Sequence, residues 1–305
     1  GVFLGNLAAQ HPRAVELQML AQRLAELVGG RFGVIGEAAN SVGGYLAQCV
    51  PSGRGRSAAS MLAQPHRAYV LVGVEPSLDT HDPNTAAAAL GGDAFVVALT
   101  AYRSAVETCA DVMLPIGPFT ETSGTFVNTE GRMQSFNGAV RPLGSARPGW
   151  KVLRVLANML GVPGFEYDAS EAIRDECCRP EEVAARLDNR LEGVAVRPAS
   201  ALGAMTLERV ADLPIHFADP LARRSPPLQQ TRDARAPRAA MRGEVLERLG
   251  LKAGDKIRVR LGSGEAVLDA ERDDKLPAAC VRVSAAHPST AALGPMFGAV
   301  TVERA

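Results

Sequence analysis

The sequence predicts an α/β protein in three parts: a doubly wound parallel sheet unit, an α+β segment carrying a hairpin, and a small C-terminal β-barrel. Three observations predict it. Strand and helix patterns alternate up to Pro115. A run rich in β-branched residues turns back on itself at Thr129-Glu130-Gly131. Beyond residue 243, short alternating strands are separated by glycine turns. The expected boundaries are 1–117 for the parallel-sheet domain, 118–219 for the hairpin and helical segment, 220–242 for an extended linker and 243–305 for the barrel.

Val2 to Leu4 is the first strand. Val15, Leu17, Leu20, Leu24 and Leu27 then fall roughly on one face of a helix from Arg13 to Val28, which Gly29-Gly30 ends. Phe32 to Ile35 is a second strand. A helix over Ser41 to Cys49 stops before Pro51. Ala68 to Val74 is a continuous apolar strand, as expected when both faces of a sheet are covered. Asp82-Pro83 starts a helix, the carboxylate capping it and the proline sitting in its first turn. Phe95 to Leu99 and Asp111 to Leu114 are further strands, the latter stopped by Pro115, which has no N–H to donate. Repeated strand–helix units imply right-handed crossovers.

Thr125 to Asn128 and Arg132 to Phe136 form the hairpin, with Gly124 and Gly131 where φ > 0 or a close backbone approach is wanted. Trp150 to Leu160 is a helix closed by Gly161 and Pro163. Residues 166–200 are charged and helical, in segments Ala172 to Cys178 and Glu181 to Leu187. Residues 220–242 hold four prolines and six arginines against one aspartate, with no apolar period. They read as an extended connector without a core of its own. Ile257 to Leu261 alternates cleanly, Gly262-Ser-Gly264 turns the chain, and Glu265 to Asp269, Cys280 to Val283 and Ala299 to Val302 complete the barrel strands.

Of the 305 residues, 47% are hydrophobic and 22% charged, and 33 basic residues balance 33 acidic ones. This is a globular composition, and the zero net charge argues against nucleic acid as a main partner. No apolar run approaches the roughly 20 residues a membrane helix needs, so direct membrane insertion is not expected. The chain runs from Gly1 straight into a strand and reads as a piece of a longer polypeptide. Its five cysteines, Cys49, Cys109, Cys177, Cys178 and Cys280, include no Cys-x-x-Cys. Their spacing supports neither a zinc ribbon nor an iron–sulfur cluster, and they read as reduced thiols.

Other chemistries find weak support. Neither of the first two strands ends in Gly-x-Gly-x-x-Gly, so a nicotinamide site is not indicated. Pro51 to Ser57 could cradle a phosphate with backbone amides, but lacks the lysine and the strand of a P-loop. Glu75, Asp79, His81 and Asp82 cluster after a strand, where open α/β sheets bind ligands. A hard metal there competes with a plainer reading in which Asp82 caps a helix and His81 is exposed. His11, His66, His216 and His287 sit alone, and no nucleophile–base set follows from spacing.

The stretch Ala110-Asp111…Leu114-Pro115…Glu121…Gly124-Thr125…Asn128…Glu130-Gly131-Arg132…Gln134 resembles the fingerprint of the molybdopterin oxidoreductase superfamily. Within it, several runs look like the large iron–sulfur subunit of respiratory NADH:quinone oxidoreductase. They are His11-Pro12, Gly36 to Gly43, Ala68 to Pro76, Ala146 to Trp150, Leu156 to Asn158 and Asp219 to Arg224. The resemblance covers essentially the whole chain. It implies a double-psi type of barrel and a C-terminal scaffold portion of that subunit, without a redox centre or catalytic residue of its own. Iron–sulfur clusters would lie in a missing N-terminal part. The partners would be other peripheral-arm subunits, on the cytoplasmic side of the inner membrane. The alternative is the C-terminal half of a catalytic molybdopterin oxidoreductase such as formate dehydrogenase. In the scaffold reading Glu121, Gly124, Thr125, Asn128, Glu130 and Arg132 would border an ancestral, vestigial cofactor cleft, with Arg132 buried and paired.

Overall fold

The computed structural model describes residues 1–198 and 206–305. Strand β1 (Val2–Leu4) pairs in parallel with β2 (Phe32–Val34), Val2 opposite Phe32 and Leu4 opposite Val34, across helix α1 (Ala14–Leu27). Strands β3 (Ala68–Val72), β4 (Phe95–Thr100) and β5 (Val112–Pro115) make a second sheet in that order. The Asp111 N–H donates to Val96 O and the Ile116 N–H to Thr100 O, so β5 runs in the direction of β4. The expected single, doubly wound sheet is therefore two small sheets. β1 is three residues between Gly1 and Gly5, β2 is three residues with Gly33 at its centre, and the order of the larger sheet never reverses.

Helix α1 lies where its periodicity put it, but its face is turned round. Ala21 and Ala25 are buried, while Val15, Leu20, Leu24 and Leu27 are 51–70% exposed. The small residues let the helix approach β1 and β2 closely, and the leucines point to water. Helix α2 (Ser41–Leu46) is shorter than expected, because Gln48 takes a left-handed conformation (φ 56°) and turns the chain. Helix α3 (Pro83–Leu90) starts as predicted: Asp82 accepts from the N–H groups of Asn84 and Thr85, and Pro83 leads the first turn.

Strands β6 (Gly124–Val127) and β7 (Met133–Phe136) form the hairpin, Gly124 opposite Phe136 and Val127 opposite Met133. Helices α4 (Gly149–Met159) and α5 (Ser170–Cys177) follow. By its contacts the chain divides into two compact units. One holds residues 1–57, 98–102 and 112–198; the other holds 58–97, 103–111 and the C-terminal residues, described from 206.

In the second unit β8 (Leu207–Val210), β9 (Ala239–Met241), β10 (Lys256–Leu261), β11 (Gly264–Arg272), β12 (Cys280–Arg282) and β13 (Phe297–Arg304) close a barrel in the order β10-β11-β9-β12-β8-β13. The pairs β11/β9 and β12/β8 are parallel and the other four antiparallel. Two of the six strands lie outside 243–305. In particular, the segment 220–242 is not an extended linker without a core. It forms one-turn helices at Pro220–Arg223 and Pro226–Gln229 and then β9, whose three residues are at most 1% exposed. Proline at the first position of each short helix, and small alanines that fit between neighbouring strands, explain what the composition concealed.

Met241, Val245, Ile257, Val259, Leu268, Val281, Val283 and Leu293 fill the barrel core. Among them sits Arg209, on β8 and fully buried. Its Nη1 donates to Gly294 O (2.9 Å) and Pro295 O (2.6 Å), its Nε to Val283 O (3.3 Å) and its Nη2 to Ser284 O (3.3 Å). Burial pushes its pKa down to about 10, so it remains a cation at neutral pH. Four carbonyl dipoles take the place of a carboxylate, and one side chain ties two loops to the barrel.

Candidate functional site

The fingerprint residues lie on and around the hairpin, and most of their polar groups are committed to holding it. Asn128 Oδ1 accepts from the N–H groups of Glu130 (3.1 Å) and Arg132 (2.9 Å), which closes the turn. Gly131 sits at φ 83°, and a Cβ there would stand 2.3 Å from Leu187 Cδ1. A Cβ on Gly124 would meet the Phe136 ring at 2.9 Å, and that ring stacks edge-on with Phe126 at 5.0 Å. Thr125 Oγ1 and Ser135 Oγ share a bond of 2.9 Å across the ladder. Glu121 Oε2 accepts from the Leu143 N–H (3.2 Å). Arg132 and Glu130 are exposed, contrary to the expectation of a buried guanidinium. The turn places both side chains in water and uses the Arg132 N–H instead.

A pocket of about 230 Å³ lies beside this hairpin within the first unit. Thr125, Val127 and Met133 come from the hairpin, Gly43 and Leu46 from α2, and Trp150 from α4. Ile173, Arg174 and Cys177 come from α5, followed by Cys178. Asn40 locks α2 to the hairpin, its Oδ1 accepting from the Val127 N–H (2.9 Å). A Cβ on Gly43 would stand only 2.0 Å from that Oδ1 and would push the Asn40 amide off the hairpin. Ser170 Oγ donates to Ser123 Oγ (2.9 Å). Arg174 is engaged by Ser135 Oγ (3.1 Å) and Asp175 (2.7 Å). The Trp150 indole N–H is a buried donor with no hydrogen-bond partner. Of the six predicted residues, Gly124 and Thr125 line the pocket, Glu121 and Asn128 serve nearby backbone, and Glu130 and Arg132 do neither with their side chains. The serine pair, Ile173 and Arg174 were not legible as a site, because they come from segments far apart in sequence.

At about 230 Å³ the pocket is below the roughly 300–1,000 Å³ of typical ligand clefts, small for a pterin. On its lining the Trp150 indole N–H is a buried side-chain donor without a partner.

The acidic cluster after β3 resolves differently from a metal site. Glu75 is buried and pairs with Arg224 (2.6 Å) and Arg223 (3.3 Å); Arg223 also holds Asp79 (2.5 Å). Asp82 caps α3, and His81 is exposed. Among the described residues no group of three His, Cys, Asp or Glu is placed to hold a metal. The loop Pro51 to Ser57 is exposed throughout. No helix among the described residues is long and apolar enough to cross a membrane.

Comparison with known proteins agrees with the fingerprint. Residues 2–159 match the family model described as molybdopterin oxidoreductase. The "Putative formate dehydrogenase" of Staphylococcus aureus strain bovine RF122 / ET3-1 is 36% identical over 129 residues, 42% of this chain and 13% of that protein. The protein of the same description from strain USA300 is 39% identical over 100 residues, 32% of this chain and 10% of that one. The matches thus take in about a tenth of these relatives' own length. In fold, the chain is similar to acetylene hydratase from Pelobacter acetylenicus: TM-score 0.54, 16% identity, 81% of this chain and 46% of that one.

Proposed function

Since this chain belongs to the molybdopterin oxidoreductase family, we propose that it is the C-terminal scaffold region of an oxidoreductase of the formate dehydrogenase type, with the redox chemistry carried elsewhere in the longer protein. The observation that carries this reading is the commitment of the fingerprint side chains. Asn128, Thr125 and Glu121 bond within the chain, Gly131 takes a left-handed φ, and Gly124 leaves room for the Phe136 ring. Such residues hold a shape rather than a substrate. The relatives at 36–39% identity support the formate dehydrogenase type over the NADH:quinone oxidoreductase subunit. The barrel's interleaved parallel and antiparallel pairs are compatible with the double-psi type.

The iron–sulfur subunit remains the second reading, and it rests on the sequence runs alone. Two of the runs that suggested it, Ala68 to Pro76 and Asp219 to Arg224, meet in the Glu75–Arg223–Arg224 cluster. In that reading the clusters lie in the N-terminal part of the subunit, and the partners are peripheral-arm subunits on the cytoplasmic side of the inner membrane.

Two measurements test these statements. The purified chain should contain no stoichiometric molybdenum or iron. It should also show no saturable micromolar binding of a pterin or a guanine nucleotide; binding that Arg174→Ala abolishes without loss of stability would overturn the scaffold reading. Purification of the natural assembly carrying this sequence decides between the two parents: formate-dependent dye reduction supports the first, and NADH-dependent quinone reduction the second.

A further inference from the structure

Arg186, on the one-turn helix Val183–Arg186, joins two helix ends beside the pocket. Its Nη1 donates to the carbonyl of Cys177 (2.7 Å) and its Nη2 to the carbonyl of Leu46. One planar, rigid guanidinium therefore holds the C-terminal ends of α5 and α2 side by side. Cys49 follows Leu46 by three residues. Gln48 turns the chain back in its left-handed conformation, and the Cys49 N–H closes on Gly44 O (2.9 Å). Cys49 and Cys177 are both exposed free thiols. Cys178 is turned the other way, buried with Leu46, Val127 and Val183. A bond between the adjacent Cys177 and Cys178 would require a strained ring.

We propose that Cys49 and Cys177 form an oxidisable pair, which hydrogen peroxide converts to a disulfide that staples α2 to α5 along one wall of the pocket. One sulfur attacks the peroxide, the O–O bond breaks, and a sulfenic acid forms with release of water. The second sulfur then displaces the sulfenic oxygen, which leaves as a second water as the S–S bond forms. Two thiols are oxidised and one peroxide is reduced to two waters. Partial burial raises the Cys177 thiol pKa; Glu176, Cys49 and Cys178 act in the same direction and Arg186 opposes them. Closure should speed up as pH rises and continue to do so above about 8.5, the ordinary thiol pKa.

The test is oxidation of the intact chain with hydrogen peroxide, alkylation of the remaining thiols and peptide mapping. The expected product is one cross-linked peptide joining Cys49 to Cys177, absent from Cys49→Ser and from Cys177→Ser. Arg186→Lys keeps the charge but loses the fork, and should close about tenfold more slowly while remaining folded by circular dichroism. A Cys177–Cys178 product would overturn the proposal. So would oxidation of Cys49 to sulfinate with no cross-link, or closure at the wild-type rate in Arg186→Lys.

Discussion

In the barrel, fifteen buried apolar side chains form one cluster, from Leu207 to Val300; beside the hairpin the corresponding cluster is Leu46, Val127, Cys178 and Val183. The barrel also absorbs a charge, wrapping Arg209 in four carbonyls, whereas the hairpin's Glu130 and Arg132 stay in water. A closed sheet satisfies its own backbone and encloses its core. The hairpin has two strands and an open pocket, and relies on tight turns and on single bonds from Asn40 and Asn128. The difference teaches where each region should fail: the C-terminal unit through its buried charges, the hairpin through its backbone.

The largest expected effect is in the C-terminal unit. Glu75→Ala leaves Arg223, whose side chain is 5% exposed, with Asp79 as its one remaining carboxylate beside the Phe217 carbonyl. Stability to denaturant should fall by about 3–5 kcal/mol, as when one partner of a buried pair is removed; a loss under 1 kcal/mol would show that the cluster is hydrated. Arg209→Met comes next, at about 2–4 kcal/mol. It removes a buried cation, which helps, but it orphans buried carbonyls, each costing about 1–3 kcal/mol. A variant as stable as wild type would show that the carbonyls around Arg209 do not need the guanidinium.

Gly131→Ala moves the test to the hairpin. A left-handed φ and a blocked Cβ should cost about 1–3 kcal/mol and raise amide exchange in β6 and β7 before the barrel's exchange changes. Equal acceleration in both regions would mean that they unfold as one.

The smallest effect is a pH dependence in the first unit. Hydrogen bonds from Arg13, and then from Arg197, bring the Glu16 pKa down from 4.5 to about 2. A depressed carboxylate stabilises the fold fully above the unfolded value, and that contribution is lost as pH falls through the folded one. Glu16→Gln should therefore flatten the stability profile of this unit between about pH 4.5 and 2 and leave the barrel's profile unchanged; an unaltered acid limb would remove Glu16 from the account.

Much of this was legible in the sequence. The alternating strands Lys256–Leu261 and Gly264–Arg272, the capped start at Asp82-Pro83 and the turn at Asn128 to Gly131 each announce themselves locally. What stayed hidden was set by distant partners. In β8 the inward positions are Leu207 and Arg209, so a charge stands where period-2 reading wants an apolar residue. In β9 the alanines carry no strand preference, and only the barrel around them makes them a strand. The pocket was hidden for the same reason, since Asn40, Ser123 and Ser170 meet only after folding.

The outward leucines of α1 have a practical consequence at the bench. Val15, Leu20, Leu24 and Leu27, with Phe3 and Ile35 each more than half exposed in the same unit, offer a greasy surface to solvent in the folded state. Environment-sensitive dyes that report unfolding by binding such surfaces will already fluoresce with the native chain. Melting curves of the variants above are better followed by circular dichroism or intrinsic Trp150 emission than by dye uptake.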